Sequence, residues 1–231
     1  MTTSGTYSFN PSLGEIVLYS YNIAGLRNTS LTQEHMESAK MATNMMLASW
    51  ANQGVNLWKV ELITTTLVQG QTTYPVDQNI VMVLDAYVET VNSSSQPIDR
   101  IILPVSRTEY ASYPNKQQQG YTTVYWFDRL ISPTITLWPV PDGVSAQYLK
   151  YYAVTQVQDS NFTSGQTVDI PYRWLEAFSD GLAYRLAKIW KPEIAVALKA
   201  VADDSYRIAS QQDVEQAQQY ISPQIVGYYR P

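Results

Sequence analysis

The side chains best suited to chemistry in this sequence are few and scattered. A single histidine, His35, and no cysteine stand among 231 residues. That excludes disulfides, thiolate nucleophiles and Cys-ligated metal sites. One imidazole gives no basis for a His-rich metal site and little for Ser-His-Asp chemistry. Glycosidic cleavage needs two carboxylates about 5–9.5 Å apart, one in apolar surroundings. Glu15, Glu61, Asp85 and Glu176 each lie near apolar residues, but nothing in their spacing brings two of them together. They read as solvated or capping acids. Asp203-Asp204 carries the charge of a cation site, yet adjacent acids on a helix mark its solvated face. His35 sits beside the first turn of a helix on its polar side, where an exposed, inert ring is expected. Phosphate-cradling glycine loops, the G-x-S-x-G elbow and H-E-x-x-H are all missing. No catalytic residue, metal or cofactor is expected.

Composition points to contact surfaces. Charged residues make up 15% of the chain and the net charge is −5, the wrong sign for gripping DNA by its phosphates. Tyr is abundant at 18 and Trp well represented at 6. Both join a large apolar body to one polar atom, which suits protein–protein contacts and extended sheet surfaces alike. No apolar run approaches the roughly 18 residues of a membrane-spanning helix. The N-terminal "MTTSGTYSFNPS" has neither the basic nor the apolar region of a secretory signal.

These side chains must be held by helices at both ends and strands between. A first helix is expected from Ser12, with Glu15 completing a capping box, through "LGEIVLYSYNIA" to Gly25. A second starts at the N-cap Thr32, without a strict capping box, and puts Met36, Ala39, Met46 and Trp50 on one face. Gly54 is the expected C′ residue, so that Trp50 and Val55 meet across a Schellman stop. From Trp58 the period falls to two, through "LWKVELITTTLV", "IVMVLDAYVETV" (Ile80 to Val91), "IDRIILPV", "YTTVYWFDRL", "TITLWPVP" and "AQYLKYYAVTQV". A short helical piece, "SRTEYASY", interrupts before Pro114. Helix returns after Asp169, a plausible N-cap, with Trp174, Phe178, Leu182, Leu186 and Ile189 on one stripe. Pro192 breaks that helix and opens the next, whose stripe is Ile194, Ala195, Leu198, Val201, Ala202, Ser205, Ile208 and Ala209.

The expected fold class is α+β: a helical bundle of two N-terminal and two C-terminal helices with an inserted antiparallel β region of about six strands. Its divisions are 1–56 and 170–218 for the two halves of the bundle, 57–169 for the β region and 219–231 for an extended tail. The tail, "ISPQIVGYYRP", cannot fold alone and offers Ile221, Pro223, Ile225, Val226, Tyr228, Tyr229 and Arg230 for docking. Trp50, Gly54, Val55 and Trp58 form the expected hinge between modules. Asn115, Lys116, Tyr121, Trp138, Pro141 and Asp142 mark loops suited to contacts.

The ordered set "NMMLASWANQGVNLW", "LVQGQTTYPV", "VLDAY", "IDRIILPVSRTEYASYPNK", "YWFDR", "TLWPVPDG" and "DIPYRWLEAFSDGLAYRLA" resembles the head-to-tail adaptor proteins of short-tailed bacteriophages, similar to the tail accessory factor of P22-like viruses. The resemblance spans roughly residues 12–210. It implies a structural virion protein in the neck, assembled in the host cytoplasm. It further implies a ring of twelve copies between a portal protein and a tail nozzle protein, docked to the portal by Ile221–Pro231, with double-stranded DNA passing through the lumen. An acidic wall suits passage of DNA better than grip. The readings set against it are a cell-wall glycosidase using Glu15 or Glu61 as acid, and another tail or nozzle component.

Overall fold

The computed structural model describes residues 3–53, 57–91 and 96–214. The expected Gly54–Val55 stop and the tail from Ile221 lie outside them. Helix α1 (Leu13–Ile23) begins at Ser12, whose N–H donates to the Glu15 carboxylate at 2.8 Å, and it ends before Gly25 with φ of 75°. Helix α2 (Gln33–Ala51) buries Ala39, Met46 and Trp50 as its spacing predicts.

His35 departs from expectation. It is half-buried, its Nδ1 lies 2.7 Å from the Thr32 hydroxyl and 3.3 Å from the Thr32 N–H, and its ring stacks on Trp190 at 4.0 Å. An unprotonated ring nitrogen accepts hydrogen bonds as a glutamate does, so a capping box forms with His35 in the third position. The Tyr21 hydroxyl donates to the His35 carbonyl.

The sheet holds seven strands in the order β1-β7-β3-β4-β5-β6-β2. They are β1 (Val60–Thr66), β2 (Thr73–Pro75), β3 (Ile80–Val91), β4 (Pro97–Pro104), β5 (Val124–Asp128), β6 (Thr134–Trp138) and β7 (Ala146–Thr155). The strand beyond the expected six is β2, whose three residues are too short to show a period of two. It exists because it pairs with β6 and because Tyr74, buried, bonds both the N–H and the carbonyl of Val68. Nor is the region wholly antiparallel: β4 and β5 run parallel at Leu103↔Val124 and Pro104↔Tyr125. Parallel neighbours need a long crossover, and helix α3 (Arg107–Ser112) with the loop after it supplies one.

Two larger cores result. One lies on the sheet around Tyr125, Tyr151, Ile135, Leu137 and Leu149. The other is helical and includes Leu13, Val17, Tyr21, Met46, Trp50, Trp174 and Phe178. Helix α4 (Leu175–Trp190) is its axis, packing against α1, α2 and α5 (Pro192–Gln212). On α5, Ala195, Ala202, Ser205 and Ala209 are buried with Leu198 half-buried between them, a small-residue seam that lets the two helices approach. Three stripe residues stay out of the core: Ile189, Val201 and Ile208 are each half exposed. Asp169 is not an N-cap. The chain enters α4 through a 3₁₀ turn, Tyr172–Trp174, and Asp169 pairs with Lys59.

At Gly181 helices α2 and α4 approach closely, since a Cβ there would stand 2.8 Å from the Met46 Sδ. Met46 is buried and has little room to yield. Gly181→Val is expected to lower unfolding free energy by about 1–3 kcal/mol through overpacking, read as a lower urea midpoint at unchanged slope.

Candidate functional site

The junction between helices and sheet is built around Trp174. Trp50 ends α2 on one side of it, with ring centroids 5.3 Å apart, and Trp58 precedes β1 on the other at 5.0 Å. Tyr206 of α5 closes the cluster against Trp50 and Trp174 at 5.5 and 5.4 Å. Tilted and edge-on pairs at such distances add attraction beyond their buried area. The Trp174 indole N–H is buried and has no partner among the described residues, so the ring acts through packing alone.

Polar ties surround this cluster. The buried Lys59 ammonium meets Asp169 at 2.9 Å, and the Thr155 hydroxyl of β7 donates to the Lys59 carbonyl at 3.2 Å. Asp169 also accepts the Gln158 N–H at 3.0 Å. Asp213, just past α5, pairs with Arg173 at 2.7 Å and accepts the Leu57 N–H at 3.2 Å. Asn44 of α2 exchanges two hydrogen bonds with the Ser160 backbone. Of these residues only Asp169 stood out in the sequence, and in another role. A lysine within the apolar stretch "NLWKVEL" is the one available signal for Lys59. Asp213 and Asn44 act over long sequence separations that no local pattern reveals.

The structure places the six loop residues in two situations. Trp138 stacks on Tyr113 at 4.2 Å and donates its indole N–H to the Asn115 carbonyl at 2.8 Å. The Lys116 ammonium donates to the Tyr113 carbonyl at 2.6 Å, and Asp142 accepts the Val144 N–H. Pro141 is buried. These side chains secure their own loops. Asn115 and Tyr121 are exposed, with the Arg100 guanidinium 4.8 Å above the Tyr121 ring. Further exposed apolar residues lie on β4 at Ile98, Ile101 and Leu103.

The four carboxylates singled out in the sequence fall at three places in the fold. Glu61 is on β1 and Asp85 on β3, whereas Glu15 and Glu176 line one apolar groove between α1 and α4. A general acid needs a carboxyl held above its ordinary range. Glu15 is held below it by the hydroxyl and N–H of Ser12. Among the described residues no cluster of three or more His, Asp or Glu side chains could hold a metal ion, and no helix is long and apolar enough to cross a membrane.

Tyrosine burial leaves a pH signature. Burial pushes the Tyr21 phenol up from 10.0 to about 12, with the Trp190 indole pulling slightly the other way. Burial also raises Tyr74, Tyr125, Tyr151 and Tyr206. The folded chain keeps protons that the unfolded chain releases near pH 10, so this stabilisation is intact below pH 10. It is lost as pH rises towards about 12. The share of phenolate absorbance at 295 nm that these five tyrosines contribute is expected to rise late and together with unfolding; its appearance near the ordinary value in the folded chain would contradict it.

Comparison with curated proteins finds no match. A family model, SU10 adaptor protein, matches residues 26–227 and so takes in the sheet, the junction and four of the five helices. The chain belongs to the SU10 adaptor family, and its resemblance to phage head-to-tail adaptors is borne out at the level of that family.

Proposed function

We propose that this chain is a structural part of a phage neck, an adaptor that assembles as a ring between a portal protein and a tail nozzle protein and leaves a lumen for the genome. The observation that carries the reading is the family match along residues 26–227. The distribution of surfaces supports it. Helical Met41, Met45 and Tyr19 and strand residues Ile98, Ile101 and Leu103 are exposed, one set on α1 and α2 and the other on β4, as a part gripped from several sides requires. Twelve copies, docking of the portal by Ile221–Pro231, and passage of DNA along an acidic wall belong to this proposal. So does the division into a helical ring wall and a β region that meets the nozzle, with Trp50 and Trp58 locking the two at the junction. The chain acts here as a structural adaptor with no catalytic role.

Mass measurement of the chain alone and mixed with its portal tests the proposal. The expected result is a monomer or weak oligomer alone and a closed ring with the portal. A chain that stays monomeric beside its portal would overturn it. Removing residues 221–231 is expected to abolish portal binding while leaving the fold intact; unchanged binding would remove the docking role from the tail.

A further inference from the structure

Two uncovered grooves flank α4, and their chemistry is opposite. The first lies between α1 and the start of α4, where Phe9, Ile16, Tyr19 and Leu175 are joined by Glu15 and Glu176. The second lies between α2 and the last turns of α4, where Met41, Met45 and Ile189 are joined by Arg185 and Lys188. The first groove holds acids without a base, and the second holds bases without an acid. Tyr19, Met41, Met45 and Ile189 are 59%, 61%, 58% and 53% exposed, far more than a helical core requires.

Arg185 gives an independent sign that something is missing from the single chain. Its guanidinium is half-buried and takes part in no ion pair among the described residues. Burial pushes its pKa down from the usual value. A desolvated cation without a carboxylate is costly, and an acid brought from outside would offset that cost.

Helix α5 packs along α4 and carries exposed apolar residues of its own. Val201 and Ile208 follow Ile194 at steps of seven, which keeps them on one flank of the helix. Ile194 marks that flank as the one turned to the end of α1, because its Cδ1 lies 3.8 Å from where a Cβ on Gly25 would be. Tyr206 lies on the other flank, against Trp50 of α2.

We propose that copies of this chain pack head to tail through these grooves, the acidic groove at Tyr19, Leu175 and Glu176 receiving Met41, Met45, Arg185 and Lys188 of the next copy. Like charges keep either groove from meeting itself. The contact is therefore heterologous, and repetition of one such contact generates a ring when its rotation closes. This rests on the ring reading above and names the surfaces that would make it.

The absence of cysteine makes the test clean. Tyr19→Cys and Met45→Cys are prepared as separate proteins, checked for native circular dichroism, mixed and mildly oxidised. Phe9→Cys, at a groove residue 79% exposed, serves as a second acidic-face variant should Tyr19→Cys fold poorly. The mixed Tyr19→Cys/Met45→Cys dimer is expected at several-fold the yield of either self-dimer. Adding Arg185→Glu and Lys188→Glu to the Met45→Cys protein is expected to abolish that excess. Self-dimers matching the mixed product, or no mixed product above the self-dimers at high concentration, would overturn the proposal. A ring that forms with the portal while the mixed product is absent rejects these surfaces and leaves the ring reading standing. Mixed product from a chain that never forms a ring rejects the ring reading and keeps the pairing.

Discussion

Trp174→Ala is expected to lower the unfolding free energy by about 3–5 kcal/mol, the range for removing a large aromatic from a packed core. Trp174 is 2% exposed and touches Trp50, Trp58 and Tyr206, which come from three different parts of the chain. Truncation leaves a cavity that these rings cannot easily fill, because Trp50 is held in the last turn of α2 and Trp58 within the 3₁₀ turn Leu57–Lys59. The loss should also separate the modules: urea unfolding monitored by near-ultraviolet circular dichroism is expected to broaden or split, with the sheet core melting apart from the helices. Trp174→Phe provides the control. The indole N–H has no partner among the described residues, so phenylalanine loses area but no hydrogen bond. Its cost should fall well below that of alanine. Equal costs for the two variants, or an alanine cost under about 1 kcal/mol, would show that the cluster does not hold the modules together.

How much of this was legible in the sequence depends on how local each cause is. The α1 capping box needs only Ser12 and Glu15, three residues apart, and both its partners and its position follow from the sequence. Strand β3 is bounded at Ile80 and Val91 as its apolar pattern predicts. The strand Thr73–Pro75 has no such pattern, because its cause is the edge of β6 more than fifty residues later. The parallel pairing of β4 with β5 was hidden for the same reason, although the crossover helix that permits it was visible. His35 was misread because its partner, Trp190, lies at the end of α4, in the other helical pair.

The candidate surfaces divide along the same line. The sequence marked Trp50 and Trp58 as residues joining modules, and the structure sets both against Trp174. It could not show that Trp138 and Lys116 are committed to their own loops. Nor could it show that Arg185 is half-buried without an acid, since a charged residue in a helix reads as solvated unless its neighbours are known. Exposure of Ile189, Val201 and Ile208 is the complementary error. A stripe tells which residues avoid water, but it does not say whether the cover comes from the same chain.

The salt bridge between Lys59 and Asp169 is expected to respond unequally to loss of its two partners. The Lys59 side chain is 9% exposed and that of Asp169 is 30%. Asp169→Ala strands an ammonium in the junction and removes the acceptor of the Gln158 N–H as well. Breaking a buried pair from one side in this way costs about 3–5 kcal/mol. Lys59→Ala leaves a carboxylate that still reaches water and still accepts the Gln158 N–H, so its cost should be clearly smaller. Replacing both at once, as Lys59→Met with Asp169→Leu, removes the stranded charge in either direction and is expected to recover most of the stability, because apolar pairs of similar volume often match buried ion pairs. Urea unfolding of the parent chain and the three variants compares these costs. Equal single costs would mean that the pair is already well solvated. A double variant as unstable as Asp169→Ala would mean that the junction needs the ion pair for its geometry, with Asp169 holding the 158 backbone against the lysine beneath it. In the expected outcome the pair is a tether made necessary by burying Lys59, while the hold on the sheet comes from the tryptophans beside it.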